Sequence, residues 1–370
     1  MSHPLFAPFQ LRSVNFANRI GVSPMCQYSS QDGFANDWHM VHLGSRAQGG
    51  AGLVLLEASA VLPEGRITPA DLGIYCDEHT PGLSRIAQFI RAQGVRVGIQ
   101  LAHAGRKASM SSPFTGERLL QHKEGGWQPV GPSPIAFSDS YAVPQALDQS
   151  RIDTIVHAFT QATHRALAAG FDFVEIHAAH GYLLHQFLSP LANQRTDAYG
   201  GSFENRIRLL LRVVDSVRAA WPSHLPLFVR ISATDWAEGG WTIDESVALA
   251  GHLRAHGVDL VDCSSGGQVP NAKIPVGPAF QTPFASRIRA EAAIPTAAVG
   301  MITDPHQADA IIAEGHADFV FLAREMLRDP YWPLHSAAAL GETVSWPPQY
   351  LRAAPPHSPV RSTILRPQSS

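Results

Sequence analysis

The chain repeats one pattern eight times: a short apolar run, then a longer stretch with apolar residues at helical spacing. The runs fall within 19–24, 52–58, 95–101, 171–176, 226–231, 258–263, 295–300 and 317–322. Short β-branched and aromatic runs that alternate with helices are the pattern of a parallel α/β sheet. Eight such units point to a (β/α)8 TIM barrel. A doubly wound sheet is the alternative. It needs no count of eight, and no Gly-x-Gly-x-x-Gly turn follows the first run.

Helix punctuation supports the alternation. Thr80-Pro81 supplies an N-cap hydroxyl followed by a proline, and Ser150 with Asp153 opens a helix with Ile152, Ile155, Val156, Phe159 and Ala162 on its apolar face. Thr242 with Glu245 forms a capping box, and Asp304-Pro305 starts a further helix. Glycines at 49, 94, 170, 257 and 315 stop helices. Residues 5–19 read as a hairpin lid ahead of the first strand. Residues 103–148, rich in Gly, Pro and Ser, read as a long loop insertion after the third strand that covers the active site. One domain spans 1–352. The Pro/Ser-rich tail 353–370 reads as extended.

Net charge is −3 with no run of Lys or Arg, which argues against nucleic acid or an anionic membrane as partner. No long uncharged apolar span and no basic-then-apolar leader appear, so a cytoplasmic location is the default. The three cysteines, Cys26, Cys76 and Cys263, include no Cys-x-x-Cys pair. That suits a reducing compartment and excludes a four-cysteine zinc or iron–sulfur site within the chain.

On a barrel, residues far apart in sequence meet at the carboxyl ends of the strands. The fourth run ends in His177-Ala178-Ala179-His180-Gly181-Tyr182. Two imidazoles can give two N–H donors to one oxygen, and a phenol beside them can deliver a proton without being ionised. A metal-ligand pair, or two satisfied loop histidines, is the competing reading. His-x-x-His off a helix and without a glutamate is a poor zinc signature. Gly300 after the seventh run and Arg324 after the eighth suit the phosphate site barrels often build there. Arg230 ends an apolar run. It needs an electron-rich partner, which is a flavin ring edge or a structural ion pair with Asp259, Asp262 or Glu175. Gln100 can read a ring edge or simply close a strand. Cys26 and Tyr28 follow Pro24-Met25 at the end of the first run, where such residues more often pack than do chemistry.

Taken together these residues resemble the Old Yellow Enzyme family of FMN-dependent ene-reductases. The likeness runs over about residues 5–352. It is carried by Ser23-Pro24-Met25-Cys26-Gln27-Tyr28-Ser29, Glu57-Ala58-Ser59-Ala60-Val61 with Gly65-Arg66-Ile67-Thr68, and Gln100-Leu101-Ala102-His103-Ala104-Gly105-Arg106-Lys107. Further along it rests on Glu175 to Leu183, Arg195 to Ser202 and Phe321-Leu322-Ala323-Arg324. Cys26 with Tyr28 and the His-x-x-His pair resemble the thermophilic-like branch, which includes xenobiotic reductases.

The resemblance implies non-covalent FMN across the barrel mouth and NADPH as reductant. It implies small-molecule substrates (enones, maleimides, nitro-compounds, quinones) and no metal. By position, Pro24, Met25, Cys26, Ala58, Gln100 and Arg230 would contact the flavin ring. Gly300, Ala323 and Arg324 would hold its phosphate. His177 and His180 would bind the substrate carbonyl, with Tyr182 as proton donor. Cys26 would tune the flavin, and Tyr28 and Lys107 would line the substrate side. Gln349-Tyr350-Leu351-Arg352 resembles a motif whose arginine enters a neighbouring subunit, which implies a homodimer or homotetramer with Arg352 at the shared site. The stretch Gly125-Gly126-Trp127 lengthens the loop after the third strand. Two rivals use the same residues: a metal-dependent barrel enzyme with His177 and His180 as ligands, and a non-catalytic flavin sensor.

Overall fold

A computed structural model describes residues 3–361. An antiparallel hairpin, β1 (Phe9–Leu11) and β2 (Val14–Phe16), comes first. Strands and helices then alternate as β3 (Ile20–Val22), α1 (Asp37–Gln48), β4 (Leu53–Ala60), α2 (Thr80–Ala92) and β5 (Arg96–Ala102). The long excursion that follows holds only short turns and a minimal parallel pair, β6 (Val130–Gly131) and β7 (Gln145–Ala146). Alternation resumes with α3 (Gln149–Ala169), β8 (Phe173–Ala178), α4 (Leu183–Leu188), α5 (Phe203–Ala220), β9 (Leu227–Ser232), α6 (Ile243–Ala255) and β10 (Leu260–Ser264). It closes with α7 (Thr282–Ala292), β11 (Thr296–Val299), α8 (Pro305–Ala313), β12 (Phe319–Leu322), α9 (Arg324–Arg328) and α10 (Trp332–Leu340). Strands β3, β4, β5 and β8 to β12 are all parallel and form one closed barrel, with β12 pairing β3. This is the expected (β/α)8 barrel.

All eight residues of β4 are buried, as a strand covered on both faces requires. One core lies between the strands and the surrounding helices. A second fills the barrel axis: Leu53, Leu55, Phe173, Phe228, Phe319 and Phe321 pack with Leu11, Val14 and Phe16 of the hairpin. The Phe16 ring lies 5.2 Å from that of Phe319 and 5.9 Å from that of Phe173. Both partners open their strands. The hairpin is therefore a plug at the amino end of the barrel, and not a lid over the mouth, because its apolar side chains find their partners only there.

Some boundaries differ from expectation for local reasons. Thr80 lies inside α2, and His79 occupies the cap position with no side-chain bond. Asp148, not Ser150, caps α3, because its carboxylate reaches the Arg151 N–H at 2.8 Å from an extended backbone. The fourth barrel strand starts at Phe173. Phe171 is still tied to the end of α3 through Ala166 O, and the Asp172 carboxylate accepts the Val97 N–H at 3.0 Å.

The chain then folds back. Val360 pairs with Trp346, and the Arg361 guanidinium donates to Ala47 O and Gln48 O at the end of α1. Beside them is a cleft of ≈ 380 Å³ at the amino face of the barrel, bordered by Asn18, Gly50, Gly94 and Arg361. Residues 362–370 of the expected tail lie outside the described residues. Among the described residues no helix is long and apolar enough to cross a membrane.

Candidate active site

Strand β8 is buried throughout and carries His177 one residue before its end, in register with Arg230 of β9. The chain then turns sharply. His180 (φ +60°) and Gly181 (φ +72°) are two successive left-handed residues. A Cβ on Gly181 would stand 2.1 Å from Gly267 O, so only glycine fits. The turn brings His180 and Tyr182 back beside His177. Ring centroids lie 5.2 Å apart for His177 and His180, and 5.1 Å apart for His177 and Tyr182. Tyr182 then caps α4.

Neighbouring strands hold this turn. The His180 N–H donates to Ser232 Oγ at 2.9 Å, and His180 Nε2 meets Ser264 Oγ at 2.7 Å. Lys107 Nζ donates to His180 O at 2.8 Å and also to Gly267 O. The Lys107 ammonium, expected on the substrate side, is thus turned onto the backbone of the turn, over the Phe137 ring at 4.1 Å. His177 Nδ1 is buried with no hydrogen-bond partner among the described residues.

Burial, with Arg230 next, holds both imidazoles well below their ordinary range, so both are neutral. Burial pushes the Tyr182 phenol well up, helped by Cys26, Tyr28 and Asp71. Burial likewise raises the Cys26 thiol, with Asp71 and Glu57 adding to it, and the Tyr28 phenol. Tyr28 itself is left-handed (φ +50°) and packs edge-on to Phe114 of the long loop at 6.0 Å. The site is a cluster of uncharged donors beside a cation.

Pro24, Met25 and Cys26 lie in the loop after β3. Ala58, Gln100 and Glu175 are in register across β4, β5 and β8. Gln100 Nε2 donates to Glu175 Oε1 at 2.7 Å, and burial, with Asp262 next, pushes the Glu175 carboxyl well up. Arg230 Nη1 donates to Ser23 Oγ at 3.0 Å.

A cavity of ≈ 230 Å³ opens at the carboxyl ends of β11 and β12, lined by Gln281, Gly300, Met301, Ala323, Arg324 and Arg328. Gly300 (φ +120°) leaves room there, since a Cβ would come 2.8 Å from Gln281 Nε2. Arg324 is exposed and makes no ion pair among the described residues. Arg328 is bridged to Glu325, which also lines the cavity, so the space, the Arg324 guanidinium and a bare backbone are what fit a phosphate. The insertion after β5 is anchored: Trp127 Nε1 donates to Glu64 O at 2.9 Å, and Arg106 binds Gln268 O at 2.7 Å.

Arg352 is exposed, and nothing among the described residues holds it against His177, His180 or Tyr182. From the sequence Ser264 stands among the strand-end residues without a role, and Ser232 is not singled out. A serine closing a strand carries no periodic signal, and only the register of β8, β9 and β10 brings both to His180.

A family model described as the NADH:flavin oxidoreductase / NADH oxidase family matches residues 4–341. The chain is 47% identical over 355 residues to an NADPH dehydrogenase of Halalkalibacterium halodurans, covering 95% of this chain and 99% of that one. It is 46% identical over 354 residues to an NADPH dehydrogenase of Bacillus subtilis, again covering 95% and 99%. Among solved structures it resembles morphinone reductase with a TM-score of 0.77 and 29% identity, covering 92% of this chain and 91% of that one.

Proposed function

Because the chain belongs to the NADH:flavin oxidoreductase / NADH oxidase family, known as the Old Yellow Enzyme family, we propose that it reduces the C=C bond of α,β-unsaturated carbonyl compounds. It is an FMN-dependent NADPH dehydrogenase, with FMN bound non-covalently and NADPH as reductant. The observation that carries the finer reading is the convergence of two neutral buried histidines and a protonated tyrosine at the end of β8.

Pro24, Met25, Cys26, Ala58, Gln100 and Arg230 would hold the flavin ring, and Gly300, Ala323 and Arg324 its phosphate. When bound, the flavin would supply the redox chemistry, the hydride that the substrate's β-carbon receives, with NADPH as its source. His177 and His180 bind the substrate oxygen through N–H groups. Negative charge builds on that oxygen during reduction, so donors already aimed at it stabilise the transition state more than the ground state. If Ser264 donates to His180 Nε2, the His180 proton sits on Nδ1 and is free for substrate. Tyr182 delivers the proton to the α-carbon, a task its raised pKa suits because the phenol stays protonated. Cys26 tunes the ring, and Tyr28 borders the substrate. Enones and maleimides are the substrates this fits, with nitro-compounds and quinones as further oxidants. Arg352, exposed on the surface, completes the site of a neighbouring copy in a homodimer or homotetramer.

An anaerobic visible-absorption titration tests the reading. NADPH should bleach the flavin band of the purified protein, and 2-cyclohexenone should restore it. A band that bleaches and does not return with enones or maleimides would overturn the proposed substrate class.

A further inference from the structure

We propose that His185 and Asp235 are a positioning pair, which fixes the substrate-binding turn by holding His185 in a single tautomer. The inference rests on the reading above, in which that turn binds the substrate oxygen. Both side chains are fully buried, with Nε2 of His185 2.9 Å from Oδ1 of Asp235. The contact is a close ion pair that is off-line for a hydrogen bond, and neither atom makes a hydrogen bond elsewhere among the described residues. The other ring nitrogen, Nδ1, accepts the Gly181 N–H at 2.9 Å.

An imidazole that accepts on Nδ1 must carry its proton on Nε2. The Asp235 carboxylate, 2.9 Å from that nitrogen, favours the proton there by its charge. The carboxylate is itself fixed: its Oδ2 accepts from Ser189 Oγ at 2.6 Å and from the Trp241 N–H at 2.8 Å.

Gly181 lies between His180 and Tyr182, so its amide is the hinge of the site. The His180–Gly181 peptide is gripped from both sides. Lys107 holds its carbonyl at 2.8 Å and His185 holds its N–H. The Gly181 carbonyl is taken in turn by Gln186 Nε2 at 2.8 Å. Two consecutive left-handed residues are unfavourable on their own, and such a turn persists only where its surroundings over-determine it. Neither His185 nor Asp235 is placed to touch substrate. They act through the peptide that aims His180 and Tyr182.

Two variants separate this role from plain stability. In Asp235→Asn, Trp241 N–H and Ser189 keep the carbonyl oxygen on their side, so the new amide faces His185 Nε2. That moves the imidazole proton to Nδ1, where it opposes the Gly181 N–H. In His185→Asn the side-chain oxygen sits where Nδ1 was and still accepts from Gly181. This variant leaves Asp235 unmet and a void, so it is the less stable of the two.

The measurements are the His185 ¹⁵N shifts, p-hydroxybenzaldehyde affinity of the FMN-loaded protein by visible absorption, FMN affinity and thermal midpoint. Asp235→Asn should invert the tautomer and weaken the phenol roughly ten-fold or more, as losing one buried hydrogen bond does. FMN affinity should be unchanged, and His185→Asn should keep the phenol within a few-fold despite its lower midpoint. Phenol affinity that instead follows the order of midpoints would overturn the proposal. So would a wild-type His185 protonated on Nδ1, which can be read even if a variant fails to fold. If the wild type binds no phenol at all, the reading of the turn as an oxygen site fails, and the nitrogen shifts still decide the tautomer.

Discussion

Arg230 and Asp262 stand in register on β9 and β10, with Arg230 Nε 3.1 Å from Asp262 Oδ2. Of the three acids open as partners from the sequence, this one is chosen by strand pairing. Asp259 faces away toward Arg12, and Glu175 is held by Gln100. The pair keeps a guanidinium in the barrel interior, close enough to depress both active-site imidazoles.

Removing the acid should be expensive. Asp262→Ala leaves a buried cation uncompensated and should cost about 3–5 kcal/mol. Denaturant unfolding of the variant checks this. A midpoint equal to the wild type would mean that the guanidinium finds water or another acceptor.

Tyr182→Phe removes the proposed proton and keeps the ring. Enone reduction should slow about 10²–10⁴-fold, the usual range for losing a general acid. Reduction of the enzyme by NADPH needs no such proton and should be unaffected. Anaerobic stopped-flow separates the two. Unchanged enone turnover would make water or another side chain the donor.

Arg324→Ala should loosen FMN. A charge-assisted bond of about 1.5–3 kcal/mol corresponds to a loss of roughly ten- to hundred-fold in affinity. Flavin fluorescence on release measures it. Since Arg324 is exposed and makes no ion pair among the described residues, the apo-protein should melt as the wild type does. Unchanged FMN affinity would move the phosphate elsewhere.

Lys107 gives a pH signature. Burial, with Arg106 next, lowers its pKa from the ordinary 10.5 to about 7. Between those values the unfolded chain binds a proton that the folded chain does not. Stability therefore gains from Lys107 as pH rises through about 7 to 10.5, the charged form being penalised below that window. Relative to Lys107→Met, the wild type should become more stable from pH 7 to 10. A constant difference between the two across that range would sink the argument.

The barrel could be read from the sequence because its strands are continuous apolar runs, such as Leu53 to Ala58. Helix α4 could not, since Leu183 to Leu188 is buried on every side and shows no polar face to mark a helical period. The cap error at Ser150 came from a competing acceptor two residues earlier, Asp148, and the one at Thr80 from a short 3-10 turn, Asp77–His79, that runs straight into the helix. At the site, His177, His180 and Tyr182 are close in sequence and stood out together. His185 did not, although it is only three residues beyond Tyr182. Its meaning depends on Asp235, fifty residues on by numbering, and no spacing rule links them.

The aromatic plug at the amino end has a kinetic consequence. With Phe16, Phe173, Phe228 and Phe319 filling the axis, the barrel has no back door. Reductant and oxidant must come and go through one entrance and take turns there. Each is then a dead-end inhibitor of the other's half of the cycle, so an excess of either slows turnover, and double-reciprocal plots at varied oxidant run parallel.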